Sequence, residues 1–141
     1  MPAASLPTLF AALPAAVQVH LLTALAALAL GPVALLVRKA SPLHRAAGVA
    51  WIALMTLAAL SSLFIRDARL PNAGGYTPIH LLTLATAAGL AVGLWAIARR
   101  RIATHRRAMW STYLGGCVVA GSLALLPGRV LGQWLWQLAL G

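Results

Sequence analysis

The chain has 141 residues, of which 62% are hydrophobic and only 9% charged, and its formal net charge of +10 rests on eleven basic residues and one acid. With a mean hydropathy of +0.89 and a charged fraction far below the roughly 25% of an average soluble domain, this composition excludes a water-soluble globular protein. One acid excludes catalytic carboxylate pairs and Ser-His-Asp arrangements, and one cysteine leaves no internal disulfide.

Taken in chain order, residues 6–13, set between Pro7 and Pro14, are expected to lie at the bilayer surface ahead of the first span. A spanning helix needs about 20 mostly apolar residues, and four such windows can be drawn: 14–37, 44–65, 78–98 and 108–126. No basic residue precedes Arg38, whereas a signal peptide opens with a positive region, so the first window is expected to be retained. Ser41-Pro42-Leu43-His44 and Thr77-Pro78-Ile79-His80 each offer a capping hydroxyl, a proline at the first helical position and a histidine two residues later, and both are read as helix starts. Asn72-Ala73-Gly74-Gly75 marks a turn, and Pro127-Gly128 closes the fourth window ahead of Arg129. The tail, 130–141, carries Trp134 and Trp136, is too short to span, and is expected to rest in the interface.

The windows repeat. Val19-His20-Leu21-Leu22-Thr23 returns as Ile79-His80-Leu81-Leu82-Thr83, and His44-Arg45 returns as His105-Arg106, so every histidine belongs to one duplicated pattern. The expected fold is therefore an all-α membrane protein, a four-transmembrane-helix bundle built from a duplicated helical hairpin, forming a single transmembrane domain over 1–141. Arg38, Lys39 and Arg45 fall between the first two windows and Arg99, Arg100, Arg101, Arg106 and Arg107 between the last two, while the middle connection holds only Arg66 and Arg69. By the positive-inside rule both termini and the middle loop face outward. The basic side suits anionic lipid, and without an extramembrane domain nucleic acid is not an expected partner.

His20 and His80 lie 18 and 19 residues before the inner arginines, roughly 27–29 Å at ~1.5 Å per residue. His44 and His105 lie at the inner boundary. The chain thus presents two pairs, His20 with His80 and His44 with His105, each from helices running the same way. Diagonal imidazoles of this kind can clamp a flat ring, and bis-histidine haem fits an apolar bundle interior, with Arg45 and Arg106 placed to meet propionates on the inner side. Arg66, Arg69, Arg129 and Tyr76 are the outer candidates. Gly31, Gly48, Gly89 and Gly93 leave room for a macrocycle or for close helix packing. Zinc wants three or four ligands where each pair supplies two, and Asp67 completes a two-histidine-one-carboxylate set only on the outer side. Met55, Met109 and Cys117 are scattered and read as core rather than as copper ligands.

His105-Arg106-Arg107-Ala108-Met109, followed by Tyr113, Ala120-Gly121 and Pro127-Gly128-Arg129, together with His44-Arg45, Gly48 and His80, resembles the signature of a bacterial family of small predicted membrane proteins of unknown function. The resemblance covers most of the chain and implies a fold without an activity. More loosely, four helices with two crossed histidine pairs are similar to the di-haem b-type transmembrane cytochromes, which move electrons from carriers such as ascorbate, quinol or superoxide. The resulting expectation is transmembrane electron transfer through two b-type haems in a multi-pass protein of the bacterial inner membrane, an oxidoreductase if it is an enzyme. The alternative is a non-enzymatic membrane subunit or a binding protein for a quinone, proton or metal.

Overall fold

The computed structural model describes residues 6–66, 73, 74, 76 and 80–140, and among these the protein is helical throughout, with no strand. A short α1 (Leu6–Ala11) precedes α2 (Ala15–Leu36) and α3 (Pro42–Ser62). These are followed by α4 (His80–Ala98) and α5 (Ile102–Tyr113), which runs through a π-helical segment (Leu114–Val119) into α6 (Ala120–Ala124); α7 (Val130–Leu140) ends the chain. Helices α2, α3 and α4 are long and apolar enough to cross a membrane, with mean hydropathies of 2.1, 1.5 and 2.0 over their most apolar stretches. The chain divides within α4 into two compact units, Met1–Ala87 and Ala88–Gly141.

In the first unit, α2 and α3 form an antiparallel hairpin. Ala27, Gly31, Ala34 and Leu35 are buried on α2, and Ala47, Trp51, Met55, Ala58 and Ser61 on α3. Intervals of three and four residues place each set on one helical stripe, and the small side chains let the backbones approach closely. Leu22, Leu25, Leu36, Val49, Leu57 and Leu60 point outward and are exposed. A water-soluble monomer rarely shows so much contiguous apolar surface, and lipid is its natural solvent.

Two of the connections between helices use a left-handed residue that is not glycine. Ala40 has φ +61° between α2 and α3, and Arg100 has φ +57° after α4. At the second, Arg101 N–H bonds the Ala96 carbonyl (2.8 Å) and Arg100 N–H the Ile97 carbonyl (3.0 Å). This is a Schellman turn with arginine where glycine is favoured. Ser41 caps α3 as expected, its hydroxyl accepting from His44 N–H at 3.1 Å, with Pro42 in the first turn. Thr77 and Pro78 lie outside the described residues. The expected turn near residue 74 is present: Ala73 and Tyr76 exchange backbone bonds of 3.0 and 3.2 Å around Gly74 at φ +63°.

Three boundaries differ from expectation. Helix α3 stops at Ser62 rather than at residue 65, with Leu63, Phe64 and Ile65 continuing in tight i→i−3 turns. The fourth helical stretch starts at Ile102, so His105, Arg106 and Arg107 are helical rather than loop residues. It is also not one regular span. Ala120 N–H reaches back five residues to the Gly115 carbonyl, and the adjacent Gly115 and Gly116, poor helix formers, sit within the widened turn. Helix α6 then ends at Ala124, ahead of the expected limit at 126.

Candidate functional site: the histidines

Three histidines use the same ring atom in the same way. His20 on α2 bonds through Nδ1 to the Ala58 carbonyl of α3, His44 on α3 to the Ala34 carbonyl of α2, and His105 on α5 to the Gly93 carbonyl of α4, each at 2.8 Å. A carbonyl oxygen can only accept, so Nδ1 must carry the proton. In a neutral ring the lone pair therefore lies on Nε2. A main-chain partner on Nδ1 also fixes ring orientation, which is how ligating histidines are usually held.

In the first hairpin these bonds form a ladder. His20, Ala27 and Ala34 stand seven residues apart on α2 and face Ala58, Trp51 and His44, also seven apart, on α3; the middle rung is Trp51 Nε1–H donating to the Ala27 carbonyl at 3.1 Å. Seven residues are about two helical turns, so the rungs recur on one face and are separated by about 10 Å, placing the two histidine rungs about 20 Å apart. Trp51 is only 1% exposed, which makes it a packing residue of this hairpin.

Each rung has a local cause. Helix α2 ends at Leu36, leaving its last carbonyls without intrahelical donors. Val37 N–H takes the Val33 carbonyl (3.2 Å), the His44 ring takes Ala34, and the Lys39 ammonium takes Leu35. His44 thus also closes the C-terminus of α2. At the opposite end, the Ala58 carbonyl receives both His20 Nδ1 and the Ser61 hydroxyl (3.1 Å), and one turn on, the hydroxyls of Ser62 and Thr83 meet at 2.8 Å, joining α3 to α4.

The second unit repeats the ladder only in part. His105 reproduces the His44 rung, but seven residues on, where the first hairpin has Trp51, stands Thr112. Its hydroxyl is buried without a hydrogen-bond partner among the described residues. A Cβ added at Gly89 would meet that oxygen at 2.1 Å, and one at Gly93 would meet Met109 Cε at 2.0 Å. Gly89 and Gly93 therefore serve close α4–α5 packing and leave no space there for a macrocycle. A Cβ added at Gly48, one turn after His44, would meet open space.

His80 is half-buried at the start of the described part of α4, with the Tyr76 ring edge-on at 5.0 Å between centroids. Arg66 lies over Tyr76 at 4.6 Å, donating through Nη1 to the Gly74 carbonyl (2.6 Å) and through Nη2 to the Tyr76 hydroxyl (3.3 Å). Of the expected outer candidates, Tyr76 thus stands beside His80 and Arg66 packs on Tyr76, while Asp67 and Arg69 lie outside the described residues. Arg45 and Arg106 are exposed next to His44 and His105. Among the described residues no three of His, Cys, Asp or Glu assemble as a metal-binding group. The acceptor carbonyls were not expected from the sequence, although the sevenfold spacing of His20, Ala27 and Ala34 is visible in it.

Spanning-length helices with lipid-type outer faces and a polar minority bonded to main chain define a helical integral membrane protein. The chain belongs to the family described as Predicted membrane protein (DUF2306), a family of unknown function, whose model matches residues 17–136 and so takes in all four histidines. No curated protein and no solved structure matches it.

Proposed function

We propose that this protein is a four-span, di-haem b-type electron carrier, with His20 and His80 ligating one haem and His44 and His105 the other. The observation that carries the reading is the shared use of Nδ1–H on main-chain carbonyls by His20, His44 and His105. It leaves Nε2 as the electron-pair donor in each, the chemistry an axial ligand needs. In this reading α5, the π-helical segment and α6 together make the fourth span, and the protein is a multi-pass component of a bacterial inner membrane with both termini outward.

The two histidine rungs of the first hairpin stand about 20 Å apart, within a ~30 Å hydrocarbon core, which suits one redox level near each surface. Bound there, haem would supply a one-electron couple. The residues would do the rest: the histidines orient and bind, Arg45 and Arg106 neutralise propionates at the inner level, and Arg66 with Tyr76 closes the approach to His80. A quinol or another small carrier is the proposed electron source.

A second reading rests on the same bonds. His44 closes an otherwise open helix end, and histidines of this kind can be staples between helices of a non-enzymatic subunit. Absorption spectra separate the two. Protein expressed with ample haem is expected to show a Soret band, with α and β bands on reduction, and His80→Ala and His44→Ala are each expected to lose one haem and keep the other. Colourless protein that nevertheless has full helicity would establish the staple reading instead.

A further inference from the structure

We propose that the turn between α4 and α5 is a binding site for the phosphate of anionic phospholipid headgroups. Arg99, Arg100, Arg101, Arg106 and Arg107 are all exposed within nine residues of chain. Asp67 is the single acidic side chain of the whole sequence, so acidic side chains offer these five guanidinium groups at most one counter-charge to share. Their neutralisation must come from outside the chain.

Two further observations locate that charge at the membrane surface. Arg101 lies over the Trp95 ring at 5.0 Å, and Trp95 is half-exposed on the last turn of a spanning helix. Indoles in that position sit at headgroup depth, and a guanidinium stacked on one is held level with lipid phosphates. The second is Arg100 itself. It occupies the left-handed position of the Schellman turn, where glycine fits without strain, so the turn carries a cation at a backbone cost.

Guanidinium groups take phosphate oxygens two at a time in a fixed planar fork. A zwitterionic lipid brings its own ammonium group beside the phosphate, whereas a phosphatidylglycerol-type headgroup brings net negative charge. The site therefore selects anionic lipid. It does not depend on the electron-relay reading and would exist in a haem-free protein.

The test uses the full chain in neutral detergent, with retained lipid counted by native mass spectrometry and unfolding followed by heating. Phosphatidylglycerol is expected to remain bound and to raise the melting temperature, while phosphatidylcholine does neither. Each arginine removed is expected to weaken phosphatidylglycerol binding about fivefold, so R99Q/R107Q loses more than tenfold. R100G separates binding from folding: it relieves the left-handed strain, melts no lower than the parent, and still binds about fivefold more weakly. Equal stabilisation by the two lipids, or unchanged binding in R100G, would overturn the proposal. So would sn-glycerol 3-phosphate matching the lipid at equal concentration, which would assign the turn to a soluble anion.

Discussion

Gly89 and Gly93 approach α5 equally closely, yet alanine should be tolerated very differently at the two. A Cβ at Gly93 meets Met109 Cε at 2.0 Å, the free end of a flexible thioether that can swing aside. A Cβ at Gly89 meets Thr112 Oγ1 at 2.1 Å, and Thr112, as buried as Met109 but β-branched and with χ1 alone to turn, cannot move Oγ1 without moving Cγ2 as well. Either substitution gains about 1 kcal/mol of helix propensity, whereas overpacking that cannot relax costs about 1–3 kcal/mol. Gly93→Ala should therefore be neutral or slightly stabilising, and Gly89→Ala should sit about 1–2 kcal/mol below it. Thr112→Ala supplies the control. It deletes a buried hydroxyl that has no partner among the described residues, together with a buried methyl group whose loss should cost about 1 kcal/mol, and leaves the Cβ of residue 112 at 3.4 Å as the nearest remaining atom to the new methyl group. Combining it with Gly89→Ala should recover most of the loss, a coupling of at least about 1 kcal/mol. Reversible unfolding in mixed detergent micelles, followed by circular dichroism, measures all four proteins. Equal effects at the two glycines, or strictly additive effects of Gly89→Ala and Thr112→Ala, would refute the packing account of α4 and α5.

Other substitutions test other links under the same assay. Trp51→Phe removes the bond to the Ala27 carbonyl and leaves part of a 1%-exposed site unfilled, and should cost about 1–3 kcal/mol; no change would show that the middle rung is not structural. Arg100→Gly should raise stability by about 1 kcal/mol by relieving a left-handed non-glycine residue, and a loss would mean that its side chain holds the turn. Ser41→Ala should cost about 1 kcal/mol by removing the cap on the His44 amide, read as fraying of α3 in hydrogen exchange.

The spans were legible because lipid imposes a simple rule: α2, α3 and α4 must be apolar over about 20 residues, and hydropathy counts that directly. The Ser41-Pro42 start was legible for the same local reason, since capping is written in adjacent residues. The fourth stretch was harder to read. Arg106 and Arg107 look like loop charges, but a helix accommodates them in its second turn, and Gly115-Gly116 reads as one more small apolar pair although the backbone widens there into a π-turn. Among the candidate site residues, the histidines stood out through repetition. Their hydrogen-bond partners could not, because Ala34, Ala58 and Gly93 contribute only main-chain carbonyls, which carry no sequence signature. The same limit applied to Gly89 and Gly93, whose lack of side chains fits open space and tight packing equally until Thr112 and Met109 are located.

The most direct test of the electron-carrier reading is haem stoichiometry in the purified full-length chain, measured by pyridine haemochrome against protein concentration from amino-acid analysis. Two b-type haems per chain, both low-spin with bis-imidazole signals in electron paramagnetic resonance, are predicted. Helical, correctly inserted protein carrying no haem after expression with excess haem would contradict it.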